Sequence, residues 1–175
     1  MNYGVFESTN PYGARLYSAV SESDVENGTV GYIEELADGE TQIYKFVKGV
    51  AEGKQLVVVD QPAWNPDTSK RSNQRKDKFY VEAGTAFRVR ELTKYGKFAI
   101  SAECVQAETR DKLDKDVYLT VGADGKFVVS ETSDSTAVFE AKVEAKKTTG
   151  GIIATAANNY GYTRTMYVAR INTLK

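Results

Sequence analysis

The sequence predicts an all-β fold with at most a minor helix: a compact antiparallel β-barrel or sandwich of short strands. Three observations carry this. Apolar and polar residues alternate with period 2 in short runs, which marks half-buried strands. Turn signals separate those runs at intervals of about 8–12 residues, the spacing of barrels and sandwiches. Eleven Tyr and seven Phe stand against three Pro and two Met, a composition that favours strands.

The stretch 79–105 shows the pattern most fully. Phe87 and Val89 fall on one face and Arg88 and Arg90 on the other. Phe98, Ile100 and Ala102 repeat the alternation after a short turn at Tyr95-Gly96, so the two runs read as an antiparallel hairpin with one wet face. Gly84, just before them, marks an unusual backbone angle or a close backbone approach.

Taken from the start, residues 1–13 lack apolar periodicity, contain Asn10-Pro11 and Gly13, and read as an extended N-terminal arm. Residues 14–175 then form a single β-rich domain. Residues 15–20 form a weak strand, and Asp24 could open one helical turn. Asn27-Gly28 is a strong turn signal. Residues 29–33 and 42–47 make a hairpin about the Ala37–Glu40 turn. Leu56-Val57-Val58-Val59 is apolar throughout, as in a central strand buried on both faces.

A long basic loop at 61–78 follows, with Pro62, Trp64, Pro66 and the run Ser-Lys-Arg-Ser-Asn-Gln-Arg-Lys-Asp-Lys. A loop longer than about 12–15 residues in a compact domain is usually functional or mobile. Trp64 either anchors the loop to the core or faces a partner. Residues 106–116 fit a short helix or a loop. Residues 117–129 form a second hairpin about Asp124-Gly125. Residues 139–146 alternate strictly and read as a strand despite their helix-favouring Ala, Glu and Lys. Gly150-Gly151 leads into a strand at 152–157, Asn158-Asn159-Tyr160-Gly161 turns the chain, and 165–171 is the final strand.

Bulk properties narrow the function. A formal net charge of −1 gives no global attraction to nucleic acid or acidic membranes. Histidine is absent, which removes the commonest general base and metal ligand, and with it any Ser-His-Asp or Cys-His arrangement. The single cysteine, Cys104, makes no disulfide within the chain and reads as a small buried residue. The opening residues lack a signal-peptide pattern, and no apolar run approaches the ~20 residues of a spanning helix, so the cytosol is the expected site of synthesis.

Gly122–Gly125 and Gly150-Gly151 lack the strand–loop–helix context of phosphate loops and read as turns. The carboxylate groups Asp24/Glu26, Glu34/Glu35 and Asp111/Asp114/Asp116 lack the Gly-centred loop of a Ca²⁺ site. Asn27-Gly28-Thr29 matches a glycosylation acceptor but reads as a turn. No enzyme, cofactor or metal site is expected. The cations of the loop serve either as a solvated surface or as a contact for a protein. Without aromatics among them, they make a poor nucleic-acid surface.

The order of features carries a resemblance. An arm precedes Ser-Asp-Val-Glu-Asn-Gly-Thr-Val at 23–30 and Leu-Val-Val-Val-Asp at 56–60. After the loop come Glu82-Ala83-Gly84-Thr85-Ala86-Phe87-Arg88 and Lys-Tyr-Gly-Lys-Phe-Ala-Ile-Ser at 94–101. A Val-Gly-Ala-Asp-Gly hairpin at 121–125 and Tyr167-Val168-Ala169-Arg170-Ile171 complete the series. Across 15–171 this resembles the capsid decoration (cement, or auxiliary head) proteins of tailed double-stranded-DNA bacteriophages. One departure is Tyr95-Gly96-Lys97, where many such proteins carry an acidic Gly-Asp turn.

The resemblance implies a mechanical role: a virion structural protein on the capsid exterior that bridges neighbouring major capsid protein subunits. It implies a homo-oligomer on the capsid, with a trimer expected, and neither membrane nor direct nucleic-acid contact. Aromatic and Arg side chains commonly anchor interfaces. The expected contact residues are therefore Tyr3, Phe6 and Tyr12 in the arm and Trp64, Lys70, Arg71, Arg75 and Lys76 in the loop. Two alternatives stand beside this one. The chain could be a carbohydrate-binding β-domain of a phage fibre or cell-surface protein, using Tyr160 and Tyr162. It could also be an OB-like nucleic-acid binder using the loop.

Overall fold

The computed structural model describes residues 2–8, 14–62, 76–155 and 158–175, with the backbone alone between 150 and 163. The described residues form thirteen strands in chain order. They are β1 (Phe6–Ser8), β2 (Leu16–Val20), β3 (Val25–Glu26), β4 (Val30–Leu36), β5 (Ile43–Lys48), β6 (Leu56–Val59) and β7 (Tyr80–Val81). The second half holds β8 (Phe87–Glu91), β9 (Lys97–Ser101), β10 (Tyr118–Val121), β11 (Phe127–Ser130), β12 (Phe139–Thr155) and β13 (Asn158–Leu174). Helical structure among the described residues is confined to short 3₁₀ turns such as Lys76–Lys78 and Ala102–Cys104.

The all-β expectation holds, and the strands divide between two assemblies. Strands β2-β5-β4-β6-β8 close a barrel, and β1-β9-β13-β12-β10-β11 form a six-stranded sheet. Every sheet pair is antiparallel. In the barrel, β2 and β5 run parallel, so closure is not purely antiparallel.

Strand β6 shows why this chain folds as one body. All four residues are buried, as its unbroken apolar run predicts. Val57 and Val59 join Ala19, Phe46, Phe87 and Val89 inside the barrel. Leu56 and Val58 face the other way, into a larger core with Phe98, Ile100, Leu119, Phe127, Phe139 and Ile171 of the sheet. One strand therefore supplies both cores, because successive side chains point to opposite faces. Through the second core runs a file of aromatic rings: Phe6–Phe98 at 5.8 Å, Phe98–Phe127 at 5.5 Å and Phe127–Phe139 at 6.0 Å between centroids.

The hairpin expected at 79–105 does not form. Strand β8 pairs with β2 and β6 in the barrel, whereas β9 pairs with β1 and β13 in the sheet. The alternation in β8 is as read, with Phe87 and Val89 buried, but alternation assigns faces and not neighbours. The linker between them crosses from one assembly to the other, held by Leu92 N–H donating to Leu56 O at 3.0 Å and Tyr95 N–H to Ile171 O at 2.9 Å. Ala102 ends up in a 3₁₀ turn, not in the strand.

The N-terminus also departs from expectation. Residues 2–8 are not a free arm: Phe6, Glu7 and Ser8 pair with Ile100, Ala99 and Phe98 at the sheet edge. Val5 and Phe6 are buried, and Phe6 stacks in the aromatic file. A three-residue strand is too short to display a period, which is why the sequence hides it.

Asp24 does not open a helical turn; its side chain accepts from Ala83 N–H at 2.9 Å beside the two-residue pair β3–β7. The hairpins β4–β5 and β10–β11 form where the turn residues place them. Gly84 adopts φ +75° with open space around its Cα, so the backbone angle, not a close approach, explains the residue.

The last two strands are longer than the sequence suggests. Both β12 and β13 span 17 residues and pair with each other from Phe139↔Leu174 to Thr155↔Asn158, with register shifts between Glu140 and Ala141 and between Val143 and Ala145. Asn158-Asn159-Tyr160-Gly161 is therefore strand, not turn. Strand β9 covers β13 only from Met166 to Arg170, and β10 covers β12 only at Ala141 and Lys142. Among the described residues, eight successive pairs, Thr148↔Thr165 to Thr155↔Asn158, thus run on as a two-stranded ribbon about 25 Å long.

Candidate interaction face at the root of the ribbon

Both ends of the basic loop are pinned to the body. At its start, the Asn27 side chain accepts from Gln61 N–H at 2.8 Å and donates to Gln61 O at 2.9 Å. This occupies the side chain of the glycosylation-like tripeptide, and Asn27 is itself buried. Asp60 accepts from Arg90 Nε at 2.7 Å and lies 3.6 Å from Arg88 Nη2, so the wet face of β8 holds the loop's entry.

The loop's exit meets the N-terminal segment and the ribbon's root. Tyr3 N–H donates to Asp77 O at 2.8 Å, and the Tyr3 ring packs on Tyr80 with centroids 4.9 Å apart. Lys78 Nζ donates to Asn2 Oδ1 at 2.7 Å. Asp77 is buried, with Arg164 of β13 at 3.5 Å. Glu7 receives Lys147 of β12 at 3.0 Å and Lys76 at 3.4 Å. Burial alone would raise the Glu7 carboxyl, but hydrogen bonds and charge from Lys147 and Lys76 together outweigh it and hold the group below its ordinary value. Four cations and two carboxylates meet here, drawn from three segments far apart in sequence.

Of the expected contact residues, Tyr3 and Lys76 belong to this face, Lys76 with its side chain 64% exposed. Phe6 lies beneath it in the core and offers no surface to a partner; β-pairing of its backbone turns the ring inward onto Phe98. Tyr12, Trp64, Lys70, Arg71 and Arg75 lie outside the described residues, as do the side chains of Tyr160 and Tyr162. Glu7, Asp77, Lys147 and Arg164 were not singled out from sequence. Their partners lie up to 140 positions away, beyond the reach of any local pattern.

The remaining candidate groups sit elsewhere. Glu26 bonds Gly4 N–H and Lys126, Glu34 and Glu35 face Lys54 and Lys45, and Asp114 and Asp116 face Lys146 and Lys142. Among the described residues, no three acidic or cysteine side chains converge as metal ligands would. Cys104 is buried, its thiol donating to Val5 O at 3.5 Å and Asn27 O at 3.6 Å, and burial pushes it up to about 12. A cleft of about 560 Å³ beside β2 and β5 is lined by Ser21, Glu34, Lys45, Phe46 and Lys48. Its cations are already engaged: Lys45 by Glu35 and Asp38, Lys48 by Asp24 O.

No family model and no curated protein matches the chain. Among solved structures, it is similar to the N base of the head fiber protein gp8.5 of bacteriophage phi29. The identity is 13%, the TM-score is 0.40, and the match covers 93% of this chain and all of the other. A likeness this loose defines neither the fold nor the role of the chain.

Proposed function

We propose that the protein is a virion structural protein that binds the outside of a phage capsid and bridges neighbouring major capsid protein subunits. The ordered series of turn and strand motifs across 15–171, with its resemblance to capsid decoration proteins, carries this reading. The face at the ribbon's root supports it: the exit of a basic loop, an N-terminal strand and the root of a two-stranded ribbon converge there. Such a clamp works by surface complementarity over an interface of standard size. Internal pressure must then break those contacts as well as the shell's own.

The test is to mix the purified protein with empty heads that lack it. Co-sedimentation and a raised rupture temperature are the expected results, and no attachment overturns the reading. Replacing Lys70, Arg71, Arg75 and Lys76 together by Ser should weaken attachment at least tenfold while moving thermal stability little, because a surface ion pair such as Lys76–Glu7 contributes only about 0–1 kcal/mol. Unchanged attachment would remove the loop from the contact.

A further inference from the structure

The barrel closes between β2 and β5 through the pairs Ser18↔Ile43 to Val20↔Lys45, and the far end of that seam stands open. Strand β4, on the other side of β5, stays paired with it as far as Lys48. Beyond Val20 the chain turns aside: Gly84 N–H donates to Ser21 O at 2.9 Å, and Ser23 N–H to Ser21 Oγ at 3.3 Å. Between the parted lips lies the cleft of about 560 Å³, a volume within the ~300–1,000 Å³ of ligand sites. Gly49 N–H donates to Val30 O at 3.0 Å, so the hydrogen-bonded pairs with β4 fall on Gly49 and Val47. Lys48↔Gly31 and Phe46↔Ile33 alternate with these as non-bonded pairs, whose main-chain groups on β5 turn away from β4 and toward the cleft. The N–H and C=O of Lys48 lie past the last residue of β2.

We propose that this cleft is a groove for an extended polypeptide segment that adds a strand to β5 and carries basic side chains. Main-chain groups left open on a strand offer such a segment hydrogen bonds, and the flanking surfaces read its alternate side chains. Side chains on one face of the added strand meet Phe46 and Val20 at the barrel's mouth, where Phe46 belongs to the barrel core. Those on the other face pass the charges of the rim. The cations there are already engaged, Lys45 by Glu35 and Asp38 and Lys48 by Asp24 O. Glu22, by contrast, is exposed with no ion pair among the described residues, and Glu34 meets Lys54 at 3.7 Å. The charge left for a partner is therefore negative, which selects Lys or Arg in the occupant. The groove shares no residue with the face at the ribbon's root and does not depend on the capsid reading.

The test titrates the full ¹⁵N-labelled chain with the blocked peptide acetyl-Val-Lys-Val-Lys-Val-amide and follows backbone amides by NMR. Saturable shifts at Ser21 to Ser23 and Phe46 to Lys48 are expected, with a Kd on the order of 1 mM or tighter. Solvent exchange of the Lys48 amide should slow about fivefold at saturation, the mark of a strand added to β5. Acetyl-Val-Glu-Val-Glu-Val-amide should bind at least about tenfold more weakly, because its charges meet Glu22 and Glu34. The double variant Glu22→Lys, Glu34→Lys changes exposed side chains and should lose the preference for the Lys peptide; if it fails to fold, the two peptides on the wild type decide the matter alone. No saturable shift from the Lys peptide, equal affinity for the Glu peptide, or shifts without slowed exchange at Lys48 overturns the proposal. No capsid enters the experiment, so its outcome is independent of attachment to empty heads.

Discussion

At the scale of single residues, the informative positions are those whose surroundings leave no freedom. Phe6 sits at 7% exposure in a file of stacked rings. Phe6→Ala should destabilise the fold by about 3–5 kcal/mol in urea unfolding; a change under 1 kcal/mol would mean the ring is not core. Gly28 combines φ +87° with a built Cβ that would stand 2.6 Å from Cys104 Sγ. Neither strain nor clash can be relieved cheaply there, so Gly28→Ala should be poorly tolerated. The raised Cys104 thiol stays neutral in the fold, whereas an unfolded thiol ionises near 9. Stability linked to it is therefore lost as pH climbs from about 9 to 12. The native thiol should resist alkylation at neutral pH and react upon unfolding.

Glu7 works in the opposite sense. Its folded carboxyl lies below the ordinary 4.5, so its contribution is complete above that value and is lost as pH falls through the lower, folded one. Glu7→Gln should flatten the acid limb of the stability profile below pH 4.5, and an unchanged limb would remove the Lys147 and Lys76 pairs from the account.

At the scale of elements, local pattern and tertiary partner part company. Strand β6 was legible because burial on both faces removes polar residues from both. The turns of β4–β5 and β10–β11 were legible because Asp-Gly signals are local. What the sequence withheld was pairing. Strands β8 and β9 alternate as neighbours would, yet they belong to different assemblies, and nothing in their residues distinguishes the two cases. Asn158 to Gly161 has turn chemistry, but continuous pairing with Ile152 to Thr155 overrides it. Half of the candidate face was hidden for the same reason: Tyr3 and Lys76 were visible as types, while Glu7, Asp77 and Arg164 gain meaning only through long-range contacts. Deleting residues 2–8 should lower stability by about 3–6 kcal/mol, from Val5 and Phe6 burial alone. A free arm would leave the melting temperature unmoved.

At the scale of the whole molecule, barrel and sheet share one hydrophobic core, in which Val30, Leu56, Val58 and Leu92 of the barrel side meet the sheet's aromatic file. They should therefore unfold together. Calorimetric and van't Hoff enthalpies should agree, and Leu56→Ala should lower the signals of both assemblies by the same 2–5 kcal/mol, about the range for a buried leucine. Two separable transitions would show that the assemblies are independent.

The position of β13 has a consequence for how the molecule comes into being. It follows the other described strands in the chain, yet it lies inside the sheet between β9 and β12. During synthesis those two strands emerge with nothing to lie between them, and β1 waits for β9 for some ninety residues. Completion is therefore a late event dominated by distant contacts, which makes it slow and leaves apolar strands open to wrong partners meanwhile. Crowding many nascent copies together is the condition under which this architecture is most exposed.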